Sequence, residues 1–333
     1  MASIHDIAQR AGVSIATVSR VLNGSAGVRQ DKSERVMEAL KYFNWQPSQL
    51  GRGLRTKSSG MIGLVAPSSE IGMYTSQLLK GAGMVAASHG YSVAVIFSDV
   101  SQGGMPGYLA LAQQHKIDGL IFSIPPSADE TLHALDVLER EAFPVVYVGK
   151  KATTYGSNVY AKYEDYTIAA LEYLYSMGHR KILLPFYNAH EKYVERAVGE
   201  MKARHADLRI ECVEYAAADK ESFFHTLTER YVVKGGCTAT TNVDSENISV
   251  LIGQLACFNL SVPEDLSVIV TDNSGGNGCR DVYPGYTANM VPSESLGRGA
   301  AELLFSMLES GDVSSATREY ETELIIRNSV RRL

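Results

Sequence analysis

The sequence lacks any apolar run long enough to span a bilayer, and its N-terminus lacks the continuous apolar stretch of an export signal. It also holds only four cysteines, Cys212, Cys237, Cys257 and Cys279, which are widely spaced and form no CxxC pair. These absences argue against a membrane protein, a disulfide framework and a zinc site. We therefore expect a cytoplasmic protein with free thiols.

Motifs of catalysis are also missing. Neither a G-x-S-x-G elbow nor an HExxH motif occurs, and the eight histidines show no metal-ligand spacing. A G-x-G-x-x-A match at residues 81–86 lies inside a helical pattern and not in the strand-to-helix turn that dinucleotide binding requires. We expect no enzyme, no cofactor and no metal site.

Charge is distributed unevenly along the 333 residues, a length that predicts two or three domains. Residues 1–60 hold nine Lys and Arg against four Asp and Glu, whereas the remainder holds 22 against 33. A basic end of +5 therefore precedes an acidic remainder of −11, within a net charge of −6. This asymmetry indicates that only the first part of the chain contacts nucleic-acid phosphates.

The basic end opens with two short helical patterns around a glycine. Ser3 can cap the first helix, with Asp6 in its opening turn, and Gly12 ends that helix. Ser14 can cap the second helix. Helical spacing predicts that the inward side chains are Ile4, Ile7, Ala8, Ala11, Val13, Val18, Val21 and Leu22.

The second helix presents small side chains and one guanidinium outward, which is typical of a helix-turn-helix that enters the major groove of DNA. We expect Arg20 to form a bidentate contact with guanine O6 and N7. A third helix from about Lys32 to Phe43 completes a head of residues 1–46, and Asn23 and Arg29 are expected to hold phosphates or to be plain solvated surface. The predicted base-reading face comprises Ile15, Ala16, Thr17, Ser19 and Arg20.

The segments HDIAQRAGVS and ATVSRVLNGS resemble the opening of the lactose/galactose repressor family of bacterial transcription regulators. The similarity extends over essentially the whole chain, through KIDGLIF, PVVYV, MGHRKI, SVPEDLSVIVTD and SLGRGAAELL. The resemblance implies a homodimer that reads palindromic operator DNA and is controlled by a small-molecule effector.

Residues 47–60 resemble the family's hinge, which enters the minor groove, and Leu54 matches its wedge leucine. A flexible basic linker is the alternative interpretation. Gly51 and Gly53 depart from the family, and each costs a helix interior about 1 kcal/mol relative to alanine. We predict that this segment is disordered away from DNA and folds only on the operator, or that it never forms a regular helix.

Residues 61–333 alternate between short apolar strand patterns and helical patterns, which predicts an α/β body with two doubly wound parallel sheets and a cleft between them. The resemblance implies a body like that of periplasmic sugar-binding proteins. Its first lobe is expected over about 61–159 and 289–319, and its second lobe over about 160–288 and 320–333.

Two body residues match effector-binding positions of the family. Arg196, in ERAVG, matches the effector arginine, and Asp272, in VIVTDN, matches the effector aspartate. A guanidinium and a carboxylate across a cleft can hold adjacent hydroxyls through charge-assisted hydrogen bonds. A structural salt bridge is the alternative interpretation.

Other positions depart from the family pattern. Gly149 and Lys162 stand where acids are usual, while Asp244 replaces an asparagine and Ala218 a stacking aromatic. These changes favour an effector with a carboxylate or phosphate, held by Lys162 and Arg196, over a neutral sugar. Tyr74 offers a replacement ring, or packs as a core or lid residue. The predicted effector-binding set is Tyr74, Lys162, Arg196, Asp244 and Asp272.

The sequence therefore predicts a DNA-binding repressor of a carbohydrate-utilisation operon, controlled by a sugar, sugar acid or sugar phosphate. One alternative is a DNA-binding regulator whose body is inert or controlled by another protein. A small-molecule-binding protein or an enzyme has less support, because neither explains the basic head.

Overall fold

The computed structural model describes residues 2–22, 28–43, 58–67, 72–98, 106–124, 129–149, 155–186, 191–215, 219–276, 280 and 282–333. Contacts divide the chain into two compact units, Met1–Gly60 and Met61–Leu333. The first contains the head and the second the body. Most of the predicted hinge, with Gly51, Gly53 and Leu54, lies outside the described residues.

The head contains three helices, α1 (Ile4–Ala11), α2 (Ile15–Leu22) and α3 (Gln30–Tyr42). The predicted capping box is present, because Ser3 N donates to Asp6 Oδ2 at 2.7 Å and Asp6 N donates to Ser3 Oγ at 3.4 Å. Gly12 ends α1 in the left-handed conformation, at φ 62°. The shared core comprises Ile7, Ala8, Ala11, Val18, Val36 and Ala39.

The first lobe of the body is built on a six-stranded sheet with the order β11-β5-β4-β3-β1-β2, in which all neighbouring strands are parallel. The central strands of this sheet are short and mostly apolar, as expected where both faces of a sheet are covered. The strands are β1 (Met61–Ala66), β2 (Ser92–Phe97), β3 (Leu120–Phe122), β4 (Val145–Val148), β5 (Ser157–Ala161) and β11 (Thr317–Tyr320).

The second lobe has a six-stranded sheet with the order β12-β10-β9-β8-β6-β7, in which only the edge strand β12 is antiparallel to its neighbour among the described strands. Its strands are β6 (Lys181–Phe186), β7 (Arg209–Glu214), β8 (Ala239–Asp244), β9 (Ser267–Asp272), β10 (Thr287–Met290) and β12 (Glu323–Ile325). The two sheets confirm the predicted α/β class with a two-lobed body.

Helices cover both faces of each sheet, which gives each lobe two apolar core layers. The first lobe carries α4 (Met73–Ser88), α5 (Gly107–Gln113), α6 (Asp129–Arg140) and α11 (Ser293–Ser310). The second carries α7 (Tyr163–Ser176), α8 (Glu191–Arg204), α9 (Lys220–Leu227), a π-helix (Thr228–Val233), a 3-10 turn (Ser245–Asn247) and α10 (Ile248–Cys257).

The chain passes between the lobes three times. The crossings expected at about residues 159, 288 and 319 fall inside β5, β10 and β11. A hydrogen-bonded strand stays within its own sheet, so the chain leaves each lobe only after these strands end, at Ala161, Met290 and Tyr320.

Helices α4 and α11 pack with their backbones in close contact. A Cβ atom on Gly81 would lie 2.0 Å from Glu294 O, and one on Gly297 would lie 2.1 Å from Leu78 O. Only glycine leaves room for this approach. The match to a dinucleotide motif at residues 81–86 therefore lies inside α4, as predicted, where its first glycine serves helix packing.

Candidate DNA-binding face and effector cleft

Helix α2 separates an inward side from an outward side. Val18 is fully buried, whereas Ile15 is 39% exposed, and Ala16 and Arg20 are exposed. Ser14 begins the helix, because its Oγ accepts a hydrogen bond from Thr17 N at 3.2 Å and lies 3.0 Å from Thr17 Oγ1. Ile15, Ala16 and Arg20 are thus available to a partner, while the Thr17 hydroxyl already has a neighbour within its own helix.

The remaining predicted DNA contacts lie in different parts of the chain. Ser19 is half-buried, and Arg29 is exposed at the N-terminus of α3. Asn23 and Leu54 fall outside the described residues. Arg10 places its guanidinium 3.3 Å from the ring centroid of Tyr42, a contact that joins α1 to α3 and supports the orientation of the head helices.

The first turns of α4 contact the second lobe at three points. Met73 N donates a hydrogen bond to the Glu246 carboxylate, and Gln77 Nε2 donates to Ser274 O at 3.1 Å. The hydroxyls of Tyr74 and Tyr163 hydrogen-bond to each other. Because these contacts join residues of opposite lobes, they fix the width of the cleft beside α4.

Tyr74 therefore packs between the lobes. Burial raises its pKa well above the usual range, and its hydrogen bond to Tyr163 raises it further. Burial also raises the pKa of Tyr163 to about 12, and the nearby Asp244 carboxylate contributes to that increase. The structure thus brings Tyr74 and Asp244 to the same part of the cleft, through Tyr163.

Asp272 ends β9 and is fully buried. Its Oδ1 accepts hydrogen bonds from Ser274 N at 2.8 Å and from Ser274 Oγ at 2.5 Å. Its Oδ2 is buried and has no hydrogen-bond partner in the described part of the chain. A buried acceptor without a donor costs about 1 to 3 kcal/mol, so this atom is suited to a ligand hydroxyl or amine.

A small pocket lies beside the carboxyl ends of β6 and β8 and opens partly to solvent. Strand β8 is irregular there, because its register with β9 shifts between Thr240 and Val243 and Asn242 adopts a φ of 61°. We call this cavity the β8 pocket. Its lining is Pro185, Phe186, Tyr215, Phe224, Asn242, Val243, Asp244 and Asn247.

The two predicted cationic anchors both have carboxylate partners. Lys162 Nζ lies 2.7 Å from Glu321 Oε1 and 3.8 Å from Glu319 Oε2, where two chain crossings meet. Arg196 Nη1 lies 3.3 Å from Glu164 Oε2, and 72% of the Arg196 side chain is exposed. Each of the two cations that were expected to hold an anionic effector therefore lies beside a carboxylate of this chain.

Sequence reasoning missed several polar residues that the fold brings to this edge of the second lobe. Asn247 is only 4% exposed and Asn289 is fully buried, yet their side-chain oxygens have no hydrogen-bond partner among the residues described. Glu246 was missed because its partner, Met73, lies 173 positions away. A usable signal was the mostly polar run TNVDSEN, which covers the second part of β8 and the turn that follows it.

The described residues contain neither a metal site nor a membrane-spanning helix. No group of three or more His, Cys, Asp or Glu in those residues is arranged to hold a metal ion. No helix in the described ranges combines the length and apolar character needed to cross a membrane.

His179 is fully buried, with Nδ1 2.8 Å from Thr238 Oγ1 and Nε2 3.1 Å from Arg331 O, so it ties the C-terminal segment to the second lobe.

Comparison with known families assigns both units. The model described as bacterial regulatory proteins, lacI family, matches residues 3–48. The model described as periplasmic binding proteins and sugar binding domain of LacI family matches residues 59–234, more than half of the chain. A periplasmic binding protein-like domain matches residues 171–330.

Individual proteins match over nearly their whole length. The chain is 28% identical over 349 residues to the HTH-type transcriptional repressor PurR of Edwardsiella ictaluri, covering 99% of this chain and 97% of that one. It is 27% identical over 342 residues to the ribose operon repressor of Halalkalibacterium halodurans, with 99% and 98% covered. The crystal structure of the Lac repressor dimer bound to operator and an anti-inducer matches with a TM-score of 0.79 at 20% identity and 99% coverage of both chains, a likeness of fold. On the matches to its head and body, the chain belongs to the lacI family of bacterial regulatory proteins.

Proposed function

We propose that the protein is a transcriptional repressor that binds a palindromic operator as a homodimer and responds to a sugar-like effector held in the body cleft. The observation that carries this proposal is the outward face of α2, where Ile15, Ala16 and Arg20 are exposed on a helix anchored by buried Val18. Arg20 is suited to guanine, while Ile15 and Ala16 are suited to thymine methyl groups. Asn23 and Arg29 hold phosphates, and Leu54 wedges into the minor groove.

Asp244, Asp272 and Tyr74 are the core of the proposed effector site. The carboxylate oxygens accept hydroxyl hydrogen bonds, and burial strengthens the interaction by excluding water. Lys162 and Arg196 lie in ion pairs with Glu321 and Glu164. This arrangement favours an effector with many hydroxyl donors over a phosphate or carboxylate. The description of the matching family as sugar-binding, and a relative named for the ribose operon, support control of carbohydrate-use genes.

Homodimer formation is supported by apolar side chains that the described part of a single chain leaves exposed. Met84 on α4 and Phe97 on the edge strand β2 are each 52% exposed, and Val95 beside Phe97 is 39% exposed. Large apolar side chains clustered on an edge strand and its neighbouring helix are typical of a protein interface. A second copy at this face would supply the two-fold symmetry that a palindrome requires.

Control follows from thermodynamic linkage. An effector that prefers one arrangement of the lobes changes operator affinity by the ratio of its affinities for the two arrangements. The three contacts between α4 and the second lobe define one such arrangement. An inert body is a weaker proposal, because buried acceptors such as Asp272 Oδ2 are costly unless a ligand uses them.

Genome-wide footprinting of the full-length protein tests this proposal. We expect protection of short palindromic sites near genes of carbohydrate uptake and breakdown, with a dominant G·C pair in each half-site. The Phe97→Asp variant provides a second measurement, since a buried charge at the dimer face should produce monomers in sedimentation and weaken operator binding. Uniform binding along the genome would refute the proposal.

A further inference from the structure

Asp272, the proposed contact for effector hydroxyl groups, is held in place by Ser274. The backbone N and the Oγ of Ser274 both donate hydrogen bonds to Asp272 Oδ1, at 2.8 Å and 2.5 Å. Both residues are fully buried. The other oxygen, Oδ2, has no hydrogen-bond partner among the described residues. Because the two oxygens belong to one rigid group, an effector that draws Oδ2 toward it also moves Ser274.

Ser274 also contacts the first lobe. Its carbonyl oxygen accepts a hydrogen bond from Gln77 Nε2 at 3.1 Å. The turn after Ser274 allows this approach, because Gly275 and Gly276 adopt φ values of 75° and 98° that favour glycine. A Cβ atom on Gly275 would lie 3.7 Å from Gln77 Cδ, at van der Waals distance. Asp272, Ser274 and Gln77 thus form one chain of hydrogen bonds from the proposed effector site to α4.

Helix α4 connects the position of Gln77 to the rest of the first lobe. Leu78, the next residue, is fully buried, and its carbonyl oxygen packs against Gly297 of α11. Two helical turns beyond Gln77, about 10 Å along the axis, Met84 lies on the proposed dimer face. Closely packed helices move as units between discrete arrangements, so a displacement of Gln77 shifts α4 together with that face.

We propose that Gln77 is a positioning residue that couples effector binding at Asp272 to the arrangement of the lobes. This inference rests on the proposed function. Of the three contacts that α4 makes with the second lobe, the Gln77 contact is the one joined directly to the partner of Asp272. An effector bound to Asp272 moves Ser274 O and thereby changes the strength of its bond to Gln77. By linkage, that difference appears as a change in operator affinity.

The first test measures the operator affinity of the full-length protein with and without a deproteinised extract of cells grown on mixed carbon sources. The measured quantity is the ratio of the two dissociation constants at saturating extract. Gln77→Met keeps the length of the side chain but removes its donor, and Gln77→Asn keeps the amide but shortens its reach by a methylene group. Each variant should bring the ratio about threefold closer to one, because loss of a hydrogen bond changes an equilibrium about two- to tenfold.

Hydrogen exchange separates effector binding from its transmission to α4. The Ser274 amide donates to Asp272, so peptides that span residues 272–276 monitor the effector site. Peptides that span residues 73–84 monitor α4. In the parent protein we expect extract to change the exchange of both regions. In both Gln77 variants the change at residues 272–276 should remain, whereas the change in α4 should fall about threefold.

Gln113→Met is the matched control, because it makes the same substitution at an exposed position of the first lobe, on α5. It should give the parental ratio and parental exchange in both regions. Gln77→Met should also melt close to the parent protein, because Gln77 is only half-buried and methionine forms helices about as readily as glutamine. A weakened response then reflects lost coupling and not unfolding.

A parental ratio in both Gln77 variants would overturn the coupling role and leave the proposed function intact. Loss of the extract-dependent change at residues 272–276 in these variants would also overturn it, because Gln77 would then support binding itself. An operator response in the parent protein without any exchange change at residues 272–276 would place the effector elsewhere and overturn it too. If extract changes neither operator affinity nor exchange in the parent protein, effector control itself fails, and this inference fails with it.

Discussion

The contact between Glu246 and the N-terminus of α4 should set the balance between lobe arrangements. Glu246 belongs to the second lobe, and its carboxylate accepts a hydrogen bond from Met73 N in the first. A side-chain acceptor at a helix N-terminus contributes about 0.5 to 2 kcal/mol. At about 1 kcal/mol, its loss in Glu246→Ala should change the equilibrium between lobe arrangements about fivefold.

Gly72→Ala removes the same contact without changing charge. A Cβ atom on Gly72 would lie 2.4 Å from both Glu246 carboxylate oxygens, so the carboxylate must move away. The φ of Gly72 is −117°, which alanine also adopts, and the change therefore adds no backbone strain. Both variants should shift the half-effective extract concentration for the operator response about fivefold, in the same direction.

Hydrogen exchange on the first turn of α4 measures the contact directly. Both variants should lower the protection of the Met73 amide about fivefold relative to the parent protein. Glu264→Ala is the control, because it removes an exposed carboxylate of the same lobe and should change neither quantity. Parental protection and an unshifted operator response in both variants would refute the reasoning.

Arg20→Ala should weaken operator binding by about 1 to 3 kcal/mol and relax the preference at one base pair per half-site, whereas an unchanged binding profile over randomised operators would contradict the assignment. Gly297→Ala should destabilise the body by about 1 to 3 kcal/mol, because the added Cβ would lie 2.1 Å from Leu78 O. Gly83→Ala, which adds a Cβ in open space on α4, should stabilise the body by up to about 1 kcal/mol, and thermal unfolding of the two variants tests both expectations. Burial lowers the pKa of His179, so the unfolded chain binds a proton at this residue more readily than the folded protein does. The contribution of His179 to the free energy of unfolding is therefore complete above about pH 6.5 and falls below it, by at most about 1.4 kcal/mol per pH unit. This loss of stability at low pH should disappear in His179→Gln.

Local sequence signals predicted the head in detail. The capping box of Ser3 and Asp6, the left-handed Gly12 and the buried face that includes Ile7 and Val18 each depend on residues within one or two helical turns. Such short-range effects are encoded in neighbouring residues. The apolar strands of the body were similarly visible, because parallel strands covered on both faces form continuous apolar runs.

The candidate effector site was harder to predict, because its electrostatics depend on distant residues. Lys162 is separated by 159 positions from Glu321, whose carboxylate it binds. The expectation of an anionic effector was drawn from the lysine alone, without this carboxylate partner. The left-handed conformation of Asn242 and the burial of Asn247 likewise arise from the irregular end of β8. The polar run TNVDSEN marks this segment in the sequence but does not indicate its conformation.

Operator affinity of the full-length protein, measured by titration at a fixed moderate salt concentration with and without cell extract, tests the central claim most directly. Salt must be fixed because phosphate contacts make binding depend steeply on it. We expect the palindromic site to bind at least a thousandfold more tightly than competitor DNA, and extract to change that affinity at least fivefold. Equal affinity for every sequence, unaffected by extract, would contradict the account.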